Sequence, residues 1–84
     1  MTRLLLSALM LILAAGFARA DLHLYDAAGR RVRTLLADAQ LDRGRHAVRW
    51  DGRDDAGRAV AAGVYLARLD ATGVRRLERL VLVR

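Results

Sequence analysis

Three aspartates lie within five residues of one another near the middle of the chain, in the stretch WDGRDDAG, and oxygen-rich loops of this kind can bind calcium. An EF-hand loop needs acidic residues at positions 1, 3 and 5, glycine at 6 and glutamate at 12. Counted from Asp51, positions 3, 6 and 12 are Arg53, Ala56 and Ala62. These residues exclude an EF-hand. An irregular calcium site at Asp51, Asp54 and Asp55 remains an alternative. The commoner role of such aspartates, together with Gly52 and Gly57, is to form tight turns.

Residues for nucleophilic or acid–base catalysis are scarce. The chain has no cysteine, its only serine is Ser7, and its only histidines are His23 and His46. A nucleophile, a base and a group that orients the base would have to be assembled from very little. The lack of cysteine also excludes a disulfide and a thiolate metal site. We therefore expect no enzyme, no cofactor, no metal ion and no small-molecule substrate.

The basic charge of the chain raises the alternative of nucleic-acid binding. All 15 basic residues among the 84 are arginines, nine residues are acidic, and the net charge is +6. Several of the arginines, such as Arg31, Arg33 and Arg49, alternate with apolar residues, a pattern typical of the solvated face of a sheet. We expect no nucleic-acid partner, and only a general attraction to anionic surfaces.

The first twenty residues have the three parts of an export signal in order. Arg3 precedes the apolar run Leu4–Ala15, and Ala18-Arg19-Ala20 has the small-x-small pattern before a cleavage site. The run is shorter than the ~20 residues that a membrane-spanning helix needs. We predict a signal peptide at 1–20 and a domain at 21–84 that is secreted, periplasmic or at the cell surface. An uncleaved membrane anchor and a buried strand remain as alternatives.

Short runs with strand character follow, separated by glycines, which predicts an all-β sandwich or barrel. Leu22 and Leu24 alternate with polar residues, as in a strand with one buried face. Ala37–Gly44 is predicted to be a polar loop, and Asp26–Gly29 a tight turn in which Gly29 supplies a positive φ. The predicted strands are Asp21–Asp26, Arg31–Leu36, His46–Trp50, Val64–Asp70 and Val74–Val83.

Four motifs in this order resemble the FlgD-like immunoglobulin-like domain, which occurs in the flagellar hook-capping protein and at the C-termini of secreted bacterial proteins. They are the YDAAGRRVRTL hairpin, GRHAVRWDGRD, the approach DDAGRAVAAGVY, and the terminal LVLVR. The resemblance implies a small antiparallel sandwich in which Trp50 is a core residue and Gly63-Val64-Tyr65 forms a tyrosine corner. It also implies that Asp51, Gly52, Asp55 and Gly57 form turns.

Members of this family usually begin with one more strand, and here the predicted signal takes its place. The domain at 21–84 would then lack its first strand, and a partner could donate one. The leading hypothesis is a non-enzymatic extracytoplasmic module for assembly, attachment or sorting of a surface or secreted structure, with a protein partner and no membrane contact beyond the signal. Two alternatives are the C-terminal sorting domain of a larger exported protein and a small signal-anchored membrane protein.

Overall fold

The structure is a computed structural model, and it describes residues 7–13, 18–41, 44–71 and 73–83. These residues form six β-strands. The strands are β1 (Ser7–Leu13), β2 (Ala18–Tyr25), β3 (Arg31–Leu41), β4 (Gly44–Trp50), β5 (Gly63–Ala71) and β6 (Val74–Leu82). Every pair of neighbouring strands is antiparallel. The prediction of an all-β chain is thus confirmed.

The strands form two sheets. One has the order β3-β2-β5-β6, and the other consists of β1 and β4. Register in the larger sheet is continuous from β2 to β6, with Tyr25 opposite Leu66 and Leu66 opposite Arg79. In the smaller sheet, Ser7 lies opposite Trp50 and Leu13 opposite Gly44. The chain passes from β4 to β5 through residues 51–62, the segment that contains the three clustered aspartates.

One face of the larger sheet carries the core, because its strands alternate between buried and more exposed residues. Leu22 and Leu24 of β2 are fully buried, and Tyr65, Ala67 and Leu69 are buried in β5. The smaller sheet contributes Trp50, which is 1% exposed, while Val48 packs against the same cluster. The core is completed by Ala20, Leu80 and Leu82. Both sheets therefore share one apolar core.

Two predicted boundaries were wrong, and they have one cause. The second strand begins at Ala18 rather than Asp21, and β3 runs on to Leu41 through much of the predicted Ala37–Gly44 loop. Ala18 pairs with Leu41 and Ala20 with Ala39, so each extension supplies the backbone partner of the other. Asp38 has a φ of 47° and donates its N–H to the Asp21 carboxylate at 2.8 Å, which accommodates an irregularity in the pairing. Because residues 1–20 were predicted to be a signal, the sequence offered no strand partner for Ala39–Leu41.

The apolar segment near the N-terminus is extended in the structure. Residues 7–13 form the strand β1, which pairs with β4. The full chain therefore has a first strand, β1. A first strand would be missing only from a chain that is cleaved after Ala20. Signal cleavage itself stays a prediction. None of the described residues belongs to a helix with the length and apolar character needed to cross a membrane.

Candidate functional site

The two large aromatic residues of the motifs meet in the core. Trp50 ends β4 and Tyr65 lies in β5, and their ring centroids are 5.0 Å apart in an edge-to-face arrangement with a 71° interplanar angle. The indole Nε1 of Trp50 donates to the Arg53 carbonyl at 2.8 Å. The Tyr65 hydroxyl donates to the Ala61 carbonyl, four residues earlier, which is the backbone contact of a tyrosine corner. Both aromatic residues thus anchor the β4–β5 loop to the core.

Within that loop, residues 52–60 fold back on themselves. Arg53 and Ala59 form an isolated antiparallel bridge, and the Val60 N–H donates to the Gly52 carbonyl at 3.0 Å. Gly57 has a φ of +81°, a left-handed conformation that glycine adopts without steric cost. Gly52 also has positive φ, at 75°. Asp54 and Asp55 therefore lie on a short, internally bonded hairpin, and Asp51 directly precedes it.

The same five-residue turn occurs twice, as DAAGR at 26–30 and DDAGR at 54–58. In the first, the Asp26 carboxylate accepts the backbone N–H groups of Ala28 and Arg30, each at 2.9 Å. In the second, Asp54 accepts from Ala56 at 3.0 Å and from Arg58 at 2.9 Å. Each turn also pairs its aspartate with the arginine four residues later. The repeated D-x-A-G-R pattern is the sequence signal for this turn, and our sequence reasoning missed the repetition.

The backbone N–H of Arg30, with its side chain, lowers the pKa of the Asp26 carboxyl below its usual range. A carboxylate that accepts several N–H bonds is stabilised in its charged form and binds a proton poorly. Asp26 is therefore suited to closing a turn and poorly suited to delivering a proton. Gly29 occupies the fourth position of this turn with a φ of +84°, as the turn prediction requires.

Asp51 and Asp55 connect the loop to β3. The Asp55 carboxylate accepts the Thr34 N–H at 3.0 Å, and the Asp55 N–H donates to the Val32 carbonyl at 3.1 Å. Arg33 donates through one guanidinium nitrogen to Asp51 and to the Arg53 carbonyl, both at 3.1 Å. The sequence pattern placed Arg33 on the solvated face of a sheet and gave no sign of these contacts, since its partners lie 18 and 20 positions away.

The described residues contain no group of three or more histidine, cysteine or acidic side chains that could hold a metal ion. Asp51, Asp54 and Asp55 thus do not converge on one point, and each accepts hydrogen bonds from backbone N–H groups instead. The Nδ1 atom of His23 lies 2.9 Å from the Thr34 hydroxyl on the outer face of the larger sheet. The His46 side chain lies outside the described part of the structure.

An open cleft of about 870 Å³ lies where the two repeated turns approach the start of β5. Its lining is mostly alanine, valine and turn backbone, with the carboxylates of Asp26 and Asp54 engaged by their own turns. Around the cleft lie Asp26, Ala28, Arg30, Asp54, Ala56 and Tyr65. The cleft offers no pair of groups arranged as a nucleophile and a base.

The antiparallel sheets, the shared core and the Tyr65 contact are features of an immunoglobulin-like class of domain. Residues 6–74 match the FlgD Ig-like domain, and the chain belongs to this family. The predicted resemblance is thus confirmed, and the match includes β1 together with the start of β2. Searches of curated proteins and of solved structures gave no significant match.

Proposed function

We propose that this chain is a non-enzymatic structural and interaction module that works outside the cytoplasm, in the assembly or attachment of a surface structure related to the flagellar hook. Its two sheets would pack as a small immunoglobulin-like sandwich. The observation that carries the proposal is the family match, which spans five of the six strands in full. The FlgD name points to hook-related structures. Sorting of a secreted structure is a second role that we propose for such a module.

The use of the polar side chains supports a structural rather than an enzymatic role. Asp51, Asp54 and Asp55 hold the β4–β5 loop and its contact with β3. His23 bonds to Thr34, and the Tyr65 hydroxyl bonds to backbone. If these side chains took part in catalysis, they would lose the hydrogen bonds that stabilise the fold. We therefore infer that the chain functions through contact with other proteins.

A donated strand is one form that such contact could take. Among the described strands, β1 is the one that pairs with β4. If export removes residues 1–20, the β4 edge loses this partner and exposes backbone N–H and C=O groups. A segment of alternating apolar residues from a partner protein would restore the pairing, as in donor-strand complementation.

Complementation of a deletion strain tests the proposal. A bacterium that lacks this chain should assemble its surface structure abnormally in electron micrographs, and the parent chain should restore it. Asp54→Asn should restore assembly as well as the parent does, because the amide oxygen of asparagine can still accept the backbone N–H groups of the turn, whereas acid–base chemistry would need the carboxyl group. A folded Asp54→Asn chain that fails to restore assembly, or a deletion without any effect on surface structures, would contradict the proposed function.

A further inference from the structure

The outer face of the larger sheet, opposite the core, carries several exposed aliphatic residues. In β5 and β6, Leu66 is 43% exposed, Leu77 68% and Val81 53%. Register places Val64 directly opposite Val81, and Leu66 between Tyr25 of β2 and Arg79 of β6. The aliphatic side chains are therefore neighbours on adjacent strands. Contiguous exposed apolar surface on a soluble protein marks an interaction site more often than scattered single residues do.

Charges on this face are distributed unevenly. Near the β5–β6 turn, Asp70 accepts from Arg75 at 2.6 Å and from Arg68 at 3.0 Å, so these charges satisfy one another. Toward the other end, Arg79 lies opposite Leu66 and Arg31 lies opposite Tyr25. Within the described residues, neither Arg79 nor Arg31 forms an ion pair. Among the described residues, the aliphatic end of the face therefore carries positive charge that no ion pair neutralises.

The neighbouring aromatic residue strengthens this face as a binding surface. The Arg68 guanidinium lies 5.3 Å from the centroid of the Tyr25 ring, and His23 contacts the same ring edge-on at 6.5 Å. These contacts hold Tyr25 beside Leu66. Tyrosine and arginine are enriched in protein–protein interfaces, and here both lie beside exposed aliphatic residues.

We propose that this outer face, defined by Tyr25, Val64, Leu66, Leu77, Arg79 and Val81, binds a protein partner whose contact surface carries carboxylates among aliphatic side chains. The inference rests on the proposed function and names the chemistry of the partner. A second copy of the chain is the poorer occupant, since each copy carries a net charge of +6. An anionic lipid surface is also poorer, because this face carries only two arginines without an ion pair among the described residues, whereas lipid-binding segments carry clusters of about four to eight basic residues.

Titration of the labelled full chain with peptide probes tests this inference by NMR. One probe alternates valine and glutamate, and a matched probe alternates valine and lysine. We expect the glutamate probe to shift the amide signals of Leu66, Leu77 and Arg79, and the lysine probe to leave them in place. Arg79→Glu should weaken binding of the glutamate probe about tenfold and favour the lysine probe instead. Arg49→Glu, an exposed change on β4 of the other sheet, should leave the preference for glutamate unchanged.

Leu66→Ser is a second variant, which removes an apolar contact without changing the charge. It should also weaken binding of the glutamate probe. Equal shifts from both probes, shifts elsewhere, or no shifts would overturn the inference. So would binding to phosphatidylglycerol vesicles that depends on Leu66 and Arg79 without any peptide binding. A chain that restores assembly in cells yet shows no selective peptide binding would overturn this inference and leave the proposed function standing.

Discussion

At the scale of single residues, the carboxylates are bound mainly by backbone N–H groups and by arginines. The two repeated turns show this most clearly, since Asp26 and Asp54 each accept two backbone N–H groups of their own turn. The family resemblance implied a core role for Trp50 and a backbone contact for Tyr65; in the structure Trp50 is 1% exposed and the Tyr65 hydroxyl donates to the Ala61 carbonyl. Arg33 could not be predicted, because its contacts with Asp51 and Arg53 exist only after the loop folds onto β3.

Gly29 and Gly57 occupy the same position of the repeated turn, with φ of +84° and +81°. A Cβ at either position would meet no atom within 4 Å, so alanine would introduce backbone strain and no clash. We expect Gly29→Ala and Gly57→Ala each to lower the free energy of unfolding by about 1–2 kcal/mol. Asparagine, which tolerates a left-handed backbone, should cost less at both positions. Urea denaturation measures all four variants, and an unchanged midpoint for the alanine variants would contradict the turn geometry.

Trp50→Ala should lower the free energy of unfolding by about 3–5 kcal/mol, because it empties the centre of the core. The control is Tyr65→Phe, which keeps the ring contact with Trp50 and removes only the hydroxyl bond to Ala61. That change should cost about 1 kcal/mol. Thermal melting, monitored by circular dichroism, distinguishes the two variants. A Trp50→Ala chain that melts like the parent would show that Trp50 lies on the surface as a binding residue.

At the scale of elements, alternation and glycine spacing were enough to predict β2 to β6, but not all of their ends. The extension of β3 to Leu41 depends on pairing with Ala18–Ala20, and pairing is a non-local property that composition does not reveal. β1 was ambiguous for a different reason. A continuous apolar run is compatible with an export signal and with a strand, and periodicity alone does not separate them.

The hairpin of β5 and β6 provides a prediction on acid stability. A side-chain hydrogen bond from Arg75, supported by Arg68, lowers the pKa of the Asp70 carboxyl below its usual range. A carboxyl with a lowered folded-state pKa adds stability above its unfolded pKa of about 3.9, and this is lost as pH falls through the folded pKa. We expect Asp70→Asn to melt at a lower temperature than the parent at neutral pH, with the difference shrinking below about pH 4. Melting curves across this range check it, and a difference independent of pH would contradict it.

Removal of residues 1–20 tests the contribution of β1. A chain of residues 21–84 lacks the whole of β1 and the buried Ala20 of β2, so the β4 edge and part of the core would contact water. We expect it to melt at a lower temperature than the full chain, or to self-associate in sedimentation experiments. A synthetic peptide of residues 7–13 should raise its melting temperature, whereas a scrambled peptide should not. A monomer of residues 21–84 that melts as sharply and as high as the full chain would show that β1 adds nothing.

At the scale of the whole molecule, the chain is a small basic domain with one apolar core and an exposed aliphatic outer face. The inner face, the aromatic pair and the loop contacts maintain the fold. Under our proposals, the outer face binds a partner, and the β4 edge would do so only in a chain that has lost β1. Composition gave the expectation of a non-enzymatic chain, which stays a prediction, whereas the position of the outer face required the register between β2, β5 and β6.

We propose that the chain is a structural module that works outside the cytoplasm. Fractionation of a bacterium that expresses the chain, followed by detection with an antibody against it, tests this location. We expect the chain in the periplasmic, cell-surface or secreted fraction, together with the assembled surface structure. Recovery of the chain entirely in the cytosol, separate from any such structure, would contradict the proposal.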